Sequence, residues 1–240
     1  MNSITPILWL PGLLCDHNLF EPMQTHLPPW TSSCNMALES TSSMEKLALA
    51  VLKNAPEKFI LGGLSMGGIL AFEIYRQAPE RIKGLILIDT NAADEKQDVT
   101  DRRNLLVDKA KKGYFDKITP DILLALLIHP NHLQNKELRN TICAMAENIG
   151  LEYFIQHAKA LANRPDARAY LSEISVPTLV ICGREDQLCP VENHLLMAQK
   201  IPHVSLHILP NCGHLSTLEY PNLVGQFISD WLSVNRCSFI

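Results

Sequence analysis

The hydrophobic positions of this chain gather into short runs without polar interruption. Ile7-Leu8-Trp9-Leu10, Phe59-Ile60-Leu61, Leu85-Ile86-Leu87-Ile88 and Leu179-Val180-Ile181-Cys182 are apolar at every position. A strand buried on one face alternates between apolar and polar residues, whereas one covered on both faces, as in a parallel sheet, reads as these do. The predicted strands are therefore Ile7 to Leu10, Phe59 to Leu64, Arg81 to Asp89, Val176 to Cys182 and Ser205 to Pro210, with Asn35 to Glu39 as a shorter one. Helices are predicted from about Asn18 to His26, from Met44 to about Asn54 behind the capping residues Ser40-Thr41-Ser42-Ser43, from Ile69 to Arg76, up to about Lys200, and from Pro221-Asn222 through Leu232. Strand and helix alternate, which argues for a parallel sheet.

The alternation stops between about Thr90 and Tyr170. That stretch has mixed charge and no strong strand candidate, with one apolar patch from Ile122 to Ile128. It predicts a helical cap over residues 90–170, inserted into a core made of residues 1–89 and 171–240. Arg102-Arg103 and Lys109 to Lys112 are read as solvated helix faces, because acidic residues are interspersed with them. His129, His132 and His157 are read as surface or loop histidines, since no metal-ligand spacing joins them. The apolar patch either packs on the core or roofs a pocket.

Composition narrows the class. The 240 residues, 47% hydrophobic, suffice for one α/β domain with an insertion. A formal charge of −4, from 21 basic and 25 acidic side chains spread along the chain, offers no basic stripe, so nucleic acid is not an expected partner. Met1 to Leu14 lacks a basic leader and is interrupted by Pro6 and Pro11, so it reads as a first strand and not as a signal peptide. No run approaches the roughly 18 apolar residues of a membrane span. Seven cysteines, an odd number without C-x-x-C spacing, indicate neither a disulfide framework nor a zinc site, and a reducing cytoplasm is the expected location.

The chemistry concentrates at Gly62-Gly63-Leu64-Ser65-Met66-Gly67-Gly68. Gly63-x-Ser65-x-Gly67 by itself is weak and also fits a glycine-rich turn with a capping serine. Here it lies between a predicted buried strand and the helix that follows at once. A strand turning straight into a helix crowds its own backbone on either side of the corner, where only glycine fits, and pushes the corner side chain out above the sheet edge. At this point the chain resembles the α/β-hydrolase family, whose nucleophile elbow has this form.

The resemblance extends along the chain in order, and it implies an α/β fold with a mostly parallel central sheet, flanking helices and an inserted helical cap. The loop Leu10-Pro11-Gly12-Leu13 corresponds to the family's oxyanion loop, with proline in place of the usual histidine. Because the donor there is main chain, the resemblance implies the Leu13 and Met66 N–H groups as the oxyanion hole; taken alone, the loop also fits a plain β-turn. Gly183-Arg184-Glu185-Asp186 followed by Pro190 matches the loop that carries the triad acid, implying Asp186. Its neighbour Glu185 is the rival, and the expectation is that it meets solvent or a surface cation. Gly213-His214 after the last strand matches the loop that presents the triad histidine; a lone histidine would more often be structural.

Serine hydroxyl needs an imidazole to take its proton, and the imidazole needs a carboxylate to fix its tautomer. Ser65, His214 and Asp186 supply that set. The expected function is hydrolysis of carboxylic esters of small to medium acyl substrates through an acyl-enzyme, with a small-molecule ester as partner and with neither cofactor nor metal. The serine argues against the haloalkane dehalogenase branch, which uses aspartate there. Two alternatives stay open: a non-hydrolytic lyase or synthase of the same fold, and a ligand sensor that retains the triad. The sequence does not specify an oligomeric state.

Overall fold

The computed structural model describes residues 4–239. The first strand reading of Met1 to Ser3 lies outside the described residues. The main elements, in chain order, are β1 (Thr5–Leu10), β2 (Thr31–Asn35), α1 (Met44–Asn54), β3 (Phe59–Leu64), α2 (Met66–Gln77), β4 (Ile82–Ile88), α3 (Gln97–Lys109), α4 (Lys136–Ala162), β5 (Thr178–Gly183), α5 (Val191–Lys200), β6 (Val204–Leu209) and α6 (Pro221–Val234). All six strands join one parallel sheet in the order β2-β1-β3-β4-β5-β6. The order reverses between β1 and β3, and in open α/β sheets that reversal opens a crevice at the carboxyl ends of the strands.

The continuous apolar runs are explained by burial on both faces. Leu8, Leu10, Leu61, Leu85, Leu87 and Val180 join one core cluster with α1 and α2. Ile7, Trp9, Ile60, Ile86, Ile88, Leu179 and Ile181 alternate with them into a second cluster, closed by Val224, Ile228 and Trp231 of α6. Gly62 makes room for the Trp9 ring, since a Cβ there would lie 2.3 Å from two ring carbons.

Two sequence expectations are corrected. The edge strand is Thr31–Asn35 and not Asn35 to Glu39; it pairs only with β1, its residues are mostly exposed, and Thr-Ser-Ser-Cys-Asn therefore carries no apolar signal. The helix expected from Asn18 to His26 is two short turns, His17–Leu19 and Glu21–Gln24, because Pro22 restarts the chain there.

Between β4 and β5 the described chain contains helices and turns but no strand. Helix α4 is broken at Gly150 (φ 81°), and the stretch joining α3 to α4 is broken at Gly113 (φ 92°). Val107, Ala110, Ile118, Phe154 and Ala158 form a third apolar cluster, which reaches down to Leu13 and Leu14 behind β1. The Ile122–Ile128 run divides between two neighbours: Ile122 and Leu123 join that cluster, whereas Leu124, Leu127 and Ile128 pack on the second core cluster with Leu215. The two ends of this stretch are tied to each other by Glu95, whose buried carboxylate pairs with Arg103 of α3 and with Arg164 beyond α4. No helix among the described residues is long and apolar enough to cross a membrane.

Candidate active site

Strain collects at one edge of the sheet. Among the described residues, those other than glycine with positive φ are Leu14 (61°), Ser65 (55°), Asp89 (45°) and Asn211 (58°). They follow the carboxyl ends of β1, β3, β4 and β6. Such conformations cost about 1–3 kcal/mol each and persist only where the surroundings over-determine them, so four at one edge make it the candidate functional surface.

Backbone alone enforces the Ser65 corner. A Cβ on Gly63 would sit 2.3 Å from the carbonyl carbon of Gly67, and one on Gly67 would sit 1.9 Å from the Leu10 carbonyl oxygen. The corner is thereby wedged between its own helix and β1. Ser65 N–H donates to Ile88 O (3.0 Å) of β4, and Ser65 O accepts from Thr90 Oγ1 (2.7 Å). Ser65 is partly exposed at the amino end of α2, and its Oγ makes no hydrogen bond to His214 in this arrangement. Met66 opens α2, so its N–H has no intrahelical acceptor. The Gly12–Cys15 turn, closed by Cys15 N–H donating to Gly12 O (3.1 Å), leaves the Leu13 N–H untaken by any described residue.

Asp186 and His214 meet directly, with His214 Nδ1 at 2.7 Å from Asp186 Oδ2 and both side chains buried. The other oxygen, Oδ1, accepts from Leu188 N–H (2.8 Å) and Cys189 N–H (2.9 Å), so the carboxylate is locked by its own loop. Burial alone would push the His214 imidazole down; Asp186 outweighs it, aided by Asp89 and Glu219, and holds His214 above its ordinary value. Cys189 brings a third donor atom within 4.8 Å of these two. Burial, with Asp186 adding to it, pushes that thiol far up and keeps it protonated, and Nδ1 is already committed to the carboxylate, so the set fits an imidazole–carboxylate pair better than a metal cradle.

Glu185 does not face solvent alone. Its Oε2 accepts from Cys212 N–H (3.0 Å), and its own N–H donates to Cys212 O (3.0 Å), so it ties the acid loop to the histidine loop. The histidine expectations change as well. His157 is buried, with Nε2 2.8 Å from Glu39 O, and His132 Nδ1 lies 2.7 Å from Glu219 Oε2.

Several site residues escape sequence reading. Asp89, at the end of β4, accepts from Gly183 N–H (2.9 Å) and Ser216 N–H (3.0 Å), joining β5 to the histidine loop. Burial and the nearby Asp186 push its carboxyl up to about 8. His194 is fully buried; burial pushes it down to about 4, so the ring is neutral near pH 7 and accepts from Thr90 N–H (3.0 Å) through Nε2. Asp89-Thr90 had one available signal, a polar pair closing an apolar strand at the sheet edge where ligands bind. His194 and Glu219 had none.

The model of the alpha/beta hydrolase fold family matches residues 40–221. The chain belongs to the alpha/beta hydrolase fold family. This alpha/beta hydrolase is 27% identical over 219 residues to a pimeloyl-[acyl-carrier protein] methyl ester esterase of Nitrosomonas europaea, with 88% of this chain and 83% of that protein covered. It is also 27% identical over 216 residues to a 2-hydroxy-6-oxononadienedioate/2-hydroxy-6-oxononatrienedioate hydrolase of Paraburkholderia phymatum, with 85% and 74% covered. Among solved structures, a thermophilic esterase from Thermogutta terrifontis superposes with a TM-score of 0.86 at 27% identity, covering 99% of this chain and 92% of that one. An enol-lactonase from Burkholderia xenovorans LB400 gives a TM-score of 0.87 at 20% identity, covering 96% and 92%, a likeness of fold alone. With these relatives the chain is a hydrolase.

Proposed function

We propose that this hydrolase cleaves carboxylic esters of small to medium acyl groups, with Ser65 as nucleophile, His214 as base and Asp186 as its orienting acid. The observation that carries the reading is the buried 2.7 Å contact between His214 Nδ1 and Asp186 Oδ2 at the same sheet edge as a strained serine. His214 Nε2 takes the Ser65 proton as Oγ attacks the ester carbonyl. The Leu13 and Met66 N–H groups receive the charge that develops on the carbonyl oxygen, each worth about 10²–10³ in rate. The imidazolium then protonates the departing alcohol, and water, deprotonated by the same imidazole, releases the acid from the acyl-serine. On this reading residues 90–170 serve as the cap over this edge; in support, Ile122 and Leu123 belong to the same apolar cluster as Leu13 and Leu14.

A second reading, hydrolysis of a carbon–carbon bond beside a carbonyl, draws on the 27% identity to the Paraburkholderia phymatum enzyme. Turnover of p-nitrophenyl acetate and butyrate, with fluorophosphonate labelling in parallel, separates the two. Rapid turnover and labelling, both lost in Ser65→Ala, are expected. Labelling with negligible ester turnover would move the chain to the second reading or to a non-hydrolytic one.

A further inference from the structure

The loop that carries His214 is not held by the sheet alone; part of its frame comes from the inserted segment. His214 N–H and Leu215 N–H both donate to a single acceptor, the Leu127 carbonyl, at 2.9 and 3.0 Å. Leu127 precedes the chain's turn into Ile128–His132, and that turn runs against the loop. A Cβ on Gly213 would lie 2.8 Å from both Ile128 C and His129 N. On the other side, a Cβ on Gly183 of β5 would lie 2.0 Å from Gly213 O. Gly213 is thus pressed between β5 and the inserted chain, and its neighbour His214 inherits that position.

One buried side chain fastens the two partners. Glu219, whose side chain is 0% exposed, directs Oε1 at Gly213 N–H (2.7 Å) and Oε2 at both His129 N–H (2.7 Å) and His132 Nδ1 (2.7 Å). Cys212 Sγ lies 3.8 Å from Oε1. A buried carboxylate is kept only where its lone pairs are met, and here they are met half by the histidine loop and half by the insertion. Nothing in the elbow, the acid loop or the oxyanion turn requires a carboxylate at this place.

We propose that Glu219 is a positioning residue for His214: it locks the Leu127–His132 stretch of the insertion and the histidine loop into one unit, so that the imidazole keeps its aim at Ser65 only while that stretch is seated. This rests on the assignment of His214 as the base. It follows that the insertion is not a lid free at every point. Its Leu127–His132 end cannot lift without withdrawing from the loop the one carbonyl that takes both N–H groups, together with the Glu219 clasp, whereas among the described residues the α3 side has no such tie to His214.

The test uses the full chain carrying Glu219→Gln. The amide keeps the shape and one acceptor but turns an NH₂ toward either Gly213 N–H or His129 N–H, so one side of the clasp is lost. A displacement of about 1 Å at a catalytic group costs up to about 10²-fold. The expected result for p-nitrophenyl butyrate is a ten- to hundredfold fall in kcat with KM changed less than threefold. A readout that plain loosening would not move is the pH profile. The charged or titratable groups facing His214 are Asp186, Asp89, Glu219, His194 and Cys189, and those facing Glu219 are His132, Cys212 and Tyr220. Removing the Glu219 charge takes away one of the groups that raise His214, so the acid limb of kcat/KM, and the His214 ring signal in an NMR titration, should move to lower pH. If kcat stays within threefold of wild type and the acid limb does not move, the proposal is overturned. Should Glu219→Gln fail to fold, His132→Asn replaces it; His132 is 24% exposed and its loss opens only the insertion side of the clasp. A three- to tenfold fall in kcat is expected, and a folded His132→Asn with wild-type kcat overturns the proposal equally. His214→Ala keeps the two readings apart. If it retains turnover, the base assignment fails whatever Glu219 does; if it is inactive while Glu219→Gln and His132→Asn are normal, only the present inference fails.

Discussion

The serine corner and the histidine loop lie at the same sheet edge and are held by opposite means. The corner is backbone against backbone: Gly63 against Gly67, Gly67 against Leu10, with all the steric information inside five consecutive positions and one neighbouring strand. The histidine loop is held by side chains arriving from elsewhere. Glu185 takes Cys212 N–H, Glu219 takes Gly213 N–H, Asp186 takes the His214 ring and Asp89 takes Ser216 N–H, while Leu127 of the insertion takes the two N–H groups between. Four acidic side chains and one carbonyl thus frame one short loop. The serine is placed by what cannot fit, and the histidine by what must be bonded. Substitutions should act accordingly, abruptly at the corner and in graded steps around the loop.

The largest effect is expected at the corner. Ser65→Ala removes an oxygen that makes no hydrogen bond to His214, so the fold and its cooperativity should persist while ester turnover falls by about 10⁶, the scale seen when a triad nucleophile is deleted. Steady-state kinetics with circular dichroism checks this, and near wild-type turnover would end the assignment of Ser65.

Next comes the acid. Asp186→Asn keeps an acceptor for Leu188 and Cys189 N–H but presents an amide to Nδ1, which then holds the wrong tautomer toward Ser65. A fall in kcat of about 10⁴ is expected, as for the same change in a serine protease. The wild-type pH profile reads the same pair. In the proposed role His214 must be neutral to accept the Ser65 proton, and its acidic neighbours, Asp186 foremost, outweigh burial and hold it above its ordinary value. Activity should therefore be lost as pH falls through a limb lying above the usual histidine value of about 6.5, and that limb should drop in Asp186→Asn. A limb below about 6 in the wild type would contradict the arrangement.

This contrast also explains what the sequence made legible. Buried parallel strands announce themselves as unbroken apolar runs, and the corner as glycines at fixed spacing, because both constraints are local. Asp186 and His214 could be placed through their loops, each short and tied to a strand end. The edge strand Thr31–Asn35 could not, since a polar, exposed strand paired on one side has no pattern to show. Nor could Asp89, Glu219 or His194, whose bonds to Ser216, His129 and Thr90 span 127, 90 and 104 residues. Such pairings leave no periodicity. His132 looked like a loop histidine for the same reason: its partner stands 87 positions away.

The smallest effect is expected at Glu185, and its size sharpens the comparison between carboxylates. Glu185 and Glu219 each accept one main-chain N–H of the same loop, at 3.0 and 2.7 Å, on adjacent residues. They differ in exposure, since Glu185 is an exposed residue whereas the Glu219 side chain has no contact with solvent. When Glu185→Gln or Glu185→Ala weakens its bond, water can take the Cys212 N–H at little cost, and Glu185 N–H still donates to Cys212 O. Asp89 and Glu219, not Glu185, are the further carboxylates that raise His214. Both Glu185 variants should accordingly change kcat less than about tenfold, as for a group outside the catalytic hydrogen-bond chain, and leave the acid limb in place. Measured side by side, a Glu185→Gln as damaged as Glu219→Gln would mean that any loosened tie misaligns His214, and that burial and the link to the insertion confer nothing special on Glu219.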